Sequence, residues 1–134
     1  MTTEYQELKA VIEVEIDRLR FNVSDKYTAA VIRSDFFESE RFFLRGYISF
    51  SLFPGEELFV VSIDCKKNVD LLTFECDLSE GNGNVLDDGP SASVTMREVA
   101  IGGEALSNWI SKLRLFLDKS EAEIIKGLAD KARP

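Results

Sequence analysis

Apolar residues recur at helical spacing near the start of the chain. Leu8, Val11, Ile12, Ile16 and Leu19 fall three or four positions apart, the separation that gathers side chains on one helix face. Thr3 and Gln6 match a capping box, in which each side chain satisfies an amide at the helix start. A helix is therefore predicted over residues 4–20. The run Ile12-Glu13-Val14-Glu15-Ile16 also alternates as a strand does, and it reassigns the segment after Ala10 if the cap signal is accidental.

The pattern then changes to runs of strand type at residues 26–36, 42–53, 57–65, 71–78 and 92–100. Turn chemistry separates them: Glu38-Ser39-Glu40-Arg41, Pro54-Gly55, Lys66-Lys67-Asn68, and finally Asn82-Gly83 with Asp88-Gly89-Pro90. Short, successive connections predict an antiparallel meander. After Gly102-Gly103, the residues Leu106, Trp109, Ile110, Leu113, Phe116 and Leu117 form the broad stripe of an amphipathic helix. Ser120-Glu121-Ala122-Glu123 reads as a second capping box ahead of Ile124, Ile125 and Leu128, so the helix is expected to bend or restart near Lys119.

An antiparallel sheet buries one face, and both helices carry apolar stripes that need a cover. The expected fold is thus α+β: a two-layer sandwich of a five-stranded meander with an N-terminal and a C-terminal helix. At 134 residues one domain is the natural reading. The composition, 45% hydrophobic and 30% charged, lies well away from that of disordered chains.

The first hairpin carries four aromatics around one turn. If it is symmetric about Ser39-Glu40, Phe37 faces Phe42 and Phe36 faces Phe43. Tyr27, Ala29 and Val31 then face Leu52, Phe50 and Ile48 on the inward surface, and the outer surface turns apolar at Ile32, Phe36, Phe43 and Tyr47. An exposed aromatic patch marks a partner surface; a homodimer is a separate expectation for the chain. A covering helix, or a pairing shifted by one residue, would remove the patch.

Charge narrows the partners. The net charge of −8 repels phosphate backbones and anionic lipid heads, so neither nucleic acid nor a membrane surface is expected, whereas a basic protein suits the field. Acidity for solubility alone is the competing explanation. The carboxylates concentrate between Asn68 and Met96, where Asp70, Glu75, Asp77, Glu80, Asp87 and Asp88 occur without a single Lys or Arg. Glu75, Asp77, Glu80, Asp87 and Asp88 are accordingly the candidate docking carboxylates. As a calcium loop starting at Asp77, this run puts Asn82 where the sharp turn needs Gly and Asp88 at the closing position, so no metal or other cofactor is expected. Gly81-Asn82-Gly83-Asn84 lacks the Lys and the following helix of a phosphate cradle, and reads as a turn.

The chain contains no histidine. That removes Ser-His-Asp and Cys-His nucleophile systems and the commonest general base near neutral pH. Glu56-Glu57 and the pair Glu38 and Glu40 are paired carboxylates in sequence only, which does not establish a glycosidase cleft. Catalysis is not expected. The two cysteines, Cys65 and Cys76, are too few for a disulfide scaffold and suggest a reducing compartment. With a turn centred near Lys67-Asn68, Cys65 faces about Asp70 or Leu71, and Cys76 faces about Phe59 or Val60, too distant to bridge. The start of the chain carries no basic region leading into an apolar run, so a cytoplasmic location is expected.

Three functions fit. The first is an immunity or inhibitor-type protein whose carboxylates mask a basic toxin or enzyme. An export chaperone holding an unfolded segment on an aromatic strand surface is the second. The third is a small-ligand domain or an enzyme limited to carboxylate and Tyr chemistry. No motif ties the sequence to a family.

Overall fold

The computed structural model describes residues 3–39, 42–101 and 103–132, with side chains described over 5–39, 42–98 and 103–132. The order is α1 (Thr3–Lys26), β1 (Val31–Phe37), β2 (Phe42–Ser51), β3 (Phe59–Asn68), β4 (Leu71–Glu80), β5 (Val85–Asp88), β6 (Ala92–Thr95), α2 (Met96–Ile101) and α3 (Glu104–Lys131). Strands β1 to β5 form an antiparallel meander, and β6 pairs with the same strand, β4, as β5 does. The fifth position in the sheet is thus filled by two short pieces. The two-layer α+β sandwich with a helix at each end is the observed architecture.

Helix α1 is settled by burial. Tyr5, Leu8, Ile12, Ile16, Leu19 and Val23 are all buried, so the helical period prevails over the local alternation at 12–16. It continues past Arg20 to Lys26 because Val23 joins the core and the Lys26 ammonium donates to Glu121 Oε2 of α3 at 2.9 Å. The capping box rests on Thr3, whose side chain lies outside the described residues. Helix α3 runs unbroken from Glu104 to Lys131, so it does not restart near Lys119. Ser120 sits fully buried in its middle, between Phe116 and Leu117 on one side and Ile124 and Leu128 on the other. One continuous apolar stripe carries the helix through a local cap signal.

The helix-facing side of the sheet carries Leu44, Ile48 and Phe50 of β2, Phe59, Val61, Ile63 and Cys65 of β3, and Leu72, Phe74, Cys76 and Leu78 of β4. Each fully buried aliphatic side chain of this set contributes about 1.5–3 kcal/mol. The two long helices run side by side and in the same direction. Glu15, Arg18 and Lys26 of α1 meet Arg114, Asp118 and Glu121 of α3 in ascending order. Glu15 is buried, and its carboxylate accepts from Arg114 Nε at 2.8 Å and Nη2 at 3.2 Å. This fork geometry compensates a charge that would otherwise be costly between the helices.

The strand at 92–100 is half strand and half helix. β6 stops at Thr95, whose hydroxyl accepts from the Glu98 N–H at 3.1 Å while Glu98 Oε1 accepts from the Thr95 N–H at 3.2 Å. That reciprocal capping box starts α2. The segment before it, expected as a loop, contains β5, which is separated from β6 at Gly89-Pro90. The Asn82-Gly83 turn holds, with Gly83 at φ 96° and the Asn84 N–H donating to Asn82 Oδ1 at 3.0 Å.

Two registers differ from expectation. In the first hairpin Phe36 pairs with Gly46, Phe37 with Arg45, Ile32 with Phe50 and Val31 with Ser51. Pairing is shifted by three residues, an odd number, so β1 shows the opposite face to each position. The cause is Gly46: a Cβ there would lie 2.5 Å from the Phe36 ring, so only glycine leaves room for that ring. On the other side of β2, a bulge between Phe42 and Leu44 interrupts the pairing with β3. In the third hairpin the turn is Val69-Asp70 rather than Lys67-Asn68. Cys65 pairs with Phe74 and Cys76 with Ile63.

Candidate functional site

Because both long helices cover one side of the sheet, the other side lies outside the helix layer. Alternation assigns it Arg33, Asp35 and Phe37 of β1, Arg45 and Tyr47 of β2, Val60, Ser62, Asp64 and Lys66 of β3, Thr73, Glu75 and Asp77 of β4, and Asp88 of β5. Register places them in rows across the strands. One row runs Asp35, Tyr47, Ser62, Asp77, Asp88, and the next runs Phe37, Arg45, Asp64, Glu75. Asp64, Glu75, Asp77 and Asp88 therefore form one block of carboxylates, with Phe37 and Tyr47 towards β1.

Cations partly compensate the block. Arg45 Nε lies 3.2 Å from Asp64 Oδ1 while its guanidinium sits 4.5 Å above the Phe42 ring, and Lys66 Nζ is 3.5 Å from Glu75 Oε2. Among the described residues, no Lys or Arg forms an ion pair with Asp77 or Asp88. Burial, followed by the charges of Asp64, Asp88 and Glu75, holds the Asp77 carboxyl above its ordinary value. Burial also raises Asp64, against the pull of Arg45 and Lys66. A carboxyl whose folded pKa is raised costs stability above that pKa, and the cost is relieved as pH falls through it. At neutral pH the block is thus an electrostatic burden on the isolated fold, which a cation brought from outside would relieve.

Two shallow depressions flank the block. One of about 270 Å3 is lined by Phe37, Arg45, Tyr47, Glu57, Val60 and Ser62. The other, about 280 Å3, is lined by Glu75, Cys76, Asp77, Asp88, Gly89 and Ser91. Among the described residues, no three of Cys, Asp and Glu are grouped so as to hold a metal ion.

The residues singled out from sequence divide between the two faces. Glu75, Asp77 and Asp88 come together on the open side. Asp87 points to the helix layer, where Lys119 Nζ lies 3.3 Å from its Oδ2. Glu80 pairs with Phe59 at the far end of β4, on the helix-side register. Tyr47 is on the open face, but the aromatic patch predicted around it does not form. Ile32 and Phe36 are half-buried against the core, and Phe43 is buried with its ring edge-on to Tyr5 at 5.9 Å. The odd-numbered register shift moves Ile32 and Phe36 to the helix side, and the bulge turns Phe43 under α1. Asp64, Arg45 and Phe37 were missed. The alternation of Phe59, Val61, Ile63 and Cys65 already places Asp64 on the polar side of β3, and only its position outside the Lys/Arg-free window hid it.

Both cysteines are free and buried. They sit on the same face, offset by two positions across β3 and β4, closer than the expected register placed them. Diagonal neighbours of this kind stand about 7–8 Å apart, beyond the usual disulfide range of about 4.4–6.8 Å. Burial pushes each thiol up to about 12, so thiolate is scarce at neutral pH. In the folded protein both should react with a maleimide at least about a hundredfold more slowly than in urea-unfolded chain, measured by mass spectrometry. Rapid labelling of either one in the folded state would show that the sheet-to-helix core is open.

The molecule is, by fold and face, a two-layer α+β domain with one acidic, uncovered sheet surface. No protein-family model, curated protein or solved structure matches the chain. Among the described residues, no helix is long and apolar enough to cross a membrane.

Proposed function

We propose that this chain is a non-catalytic, cytoplasmic binding protein of the immunity or inhibitor kind, which masks a basic protein by docking it on the open sheet face. The block formed by Asp64, Glu75, Asp77 and Asp88 carries this reading. Asp77 and Asp88 lack a cationic partner within the described residues, and like charge acts against Asp77 in the free protein. A Lys or Arg from a partner would relieve that repulsion on binding and gain a charge-assisted hydrogen bond. Spread across three strands, the carboxylates suit several separated cations better than one ion.

A chaperone holding an unfolded segment has less support, because Phe36 and Phe43 belong to the helix side. What remains for it is the depression beside Phe37 and Tyr47.

The partner copurified from the native host provides the test, by stopped-flow or surface binding across a salt series. Replacing Asp77 and Asp88 together by Asn should slow association several-fold at low salt and flatten its salt dependence, since these charges steer the encounter. Tyr47→Ala should instead speed dissociation with little change in salt dependence, because lost apolar burial is weakly screened. Unchanged kinetics in both folded variants would refute docking on this face.

A further inference from the structure

Strand β1 is an edge of the sheet, with only β2 beside it. The opposite edge is divided at Gly89-Pro90 into two four-residue strands, one of the usual ways to block edge pairing. β1 has no such protection: it is seven residues long, Val-Ile-Arg-Ser-Asp-Phe-Phe, without proline and in unbroken register with β2. The Ser49 and Ser51 hydroxyls approach the carbonyls of Arg33 and Val31 at 3.5 Å, so these odd-numbered residues direct their backbone groups towards β2. By antiparallel alternation Ile32, Ser34 and Phe36 direct theirs outward. The Phe36 N–H is met there by its neighbour's carboxylate, Asp35 Oδ1, at 2.8 Å.

We propose that two copies of the chain pair through β1, antiparallel about a two-fold axis at Ser34. In this register the outward N–H and C=O groups of Ile32, Ser34 and Phe36 all meet their counterparts once Asp35 releases the Phe36 N–H and turns to the partner's Arg33, so the ladder is complete over the centre of the strand. The side chains are self-complementary. Ile32 lies opposite the partner's Phe36 on the helix side, and Val31 opposite the partner's Phe37 on the open side. Arg33 lies opposite the partner's Asp35, and each such contact occurs twice by symmetry.

Charge selects this register over its neighbours. A slip of one residue sets outward groups against side-on ones and breaks the ladder. The symmetric slips that keep the ladder in phase place Arg33 opposite the partner's Arg33, or Asp35 opposite the partner's Asp35, and both repel. Pairing also covers Phe37, which is 44% exposed. Two helix layers then lie on one side of a continuous sheet, and the two open faces join on the other, with an acidic block at each end.

Light scattering or sedimentation of the full chain tests this. The wild type should have twice the 15.1 kDa chain mass at concentrations on the order of 100 µM. Asp35→Arg, which sets arginines against each other, should weaken dimerisation at least about tenfold, as should Arg33→Asp. The double swap Arg33→Asp with Asp35→Arg should restore the dimer, which a loss of folding would not permit. Ser34→Pro removes an outward N–H and the hydroxyl that accepts from Arg20 Nη2, leaves the β1–β2 ladder intact, and should give a folded monomer with wild-type circular dichroism. A monomeric wild type at that concentration would overturn the proposal. So would a dimer whose affinity ignores the reversals, the swap and the proline.

Discussion

Replacing Trp109 by alanine is expected to destabilise the protein by about 3–5 kcal/mol and to lower its melting temperature by on the order of 10–20 °C. Trp109 is 1% exposed and centres the α3 stripe. Its ring lies 4.6 Å from that of Phe74, tilted by 34°, so truncation leaves a cavity between helix and sheet. Its indole N–H also donates to the Pro90 carbonyl at 3.0 Å, pinning the link between β5 and β6. Trp109→Phe keeps most of the volume but loses the donor, and should cost about 1–2 kcal/mol. As the sole tryptophan, Trp109 should emit at short wavelength in the folded state and shift red on denaturation. An alanine variant within about 1 kcal/mol of wild type by urea titration would mean that α3 does not pack as described.

The second large effect runs against helix propensity. Gly127 lies within α3, where valine is a slightly better helix former than glycine, by about 0.5 kcal/mol. A Cβ at this position would stand 2.2 Å from Cζ of Phe59, a ring that is itself buried. Overpacking of this kind costs about 1–3 kcal/mol, occasionally more, so Gly127→Val should destabilise by about 2–3 kcal/mol despite the propensity gain. Phe59→Ala should remove the clash, so the double variant should be more stable than the two single costs predict when added. Strict additivity in urea titrations would show that the helix does not approach β3 at this point.

Period carried most of the fold. The stripes of α1 and α3 and the meander order follow from residues whose local and tertiary preferences agree, such as Ile12 with Ile16 and Leu113 with Leu117. The misreadings fall where a single residue overrides the pattern. Gly46 draws the Phe36 ring across the strand pair and fixes a register that symmetry about the turn does not give. Thr95 and Glu98 form a capping box inside an apparently strand-like run and convert its second half into α2. Ser120 has the sequence of a cap, but the burial of the residues around it keeps α3 whole.

The acidic block was half legible. Glu75, Asp77 and Asp88 share a face because period-2 alternation and the β4–β5 register agree. Asp87 and Glu80 fall on the other side by the same alternation, which a count of carboxylates along the chain ignores. Arg45 and Lys66 reach the block only through strand pairing, so the absence of basic residues from the 68–96 window did not mean an absence of cations in space. The aromatic surface failed as a unit because its premise was the register that Gly46 overrides.

The most direct measurement compares two variants of identical net charge in their association rate with the copurified partner. One carries Asp77→Asn with Asp88→Asn on the open face, and the other carries Glu7→Gln with Asp130→Asn on the exposed side of the helix layer. Docking on the sheet predicts that the open-face pair slows association several-fold at low salt while the helix-layer pair leaves it near wild type. Equal slowing by both pairs, or a larger effect from the helix layer, would contradict an acidic sheet face as the docking surface and leave only overall charge.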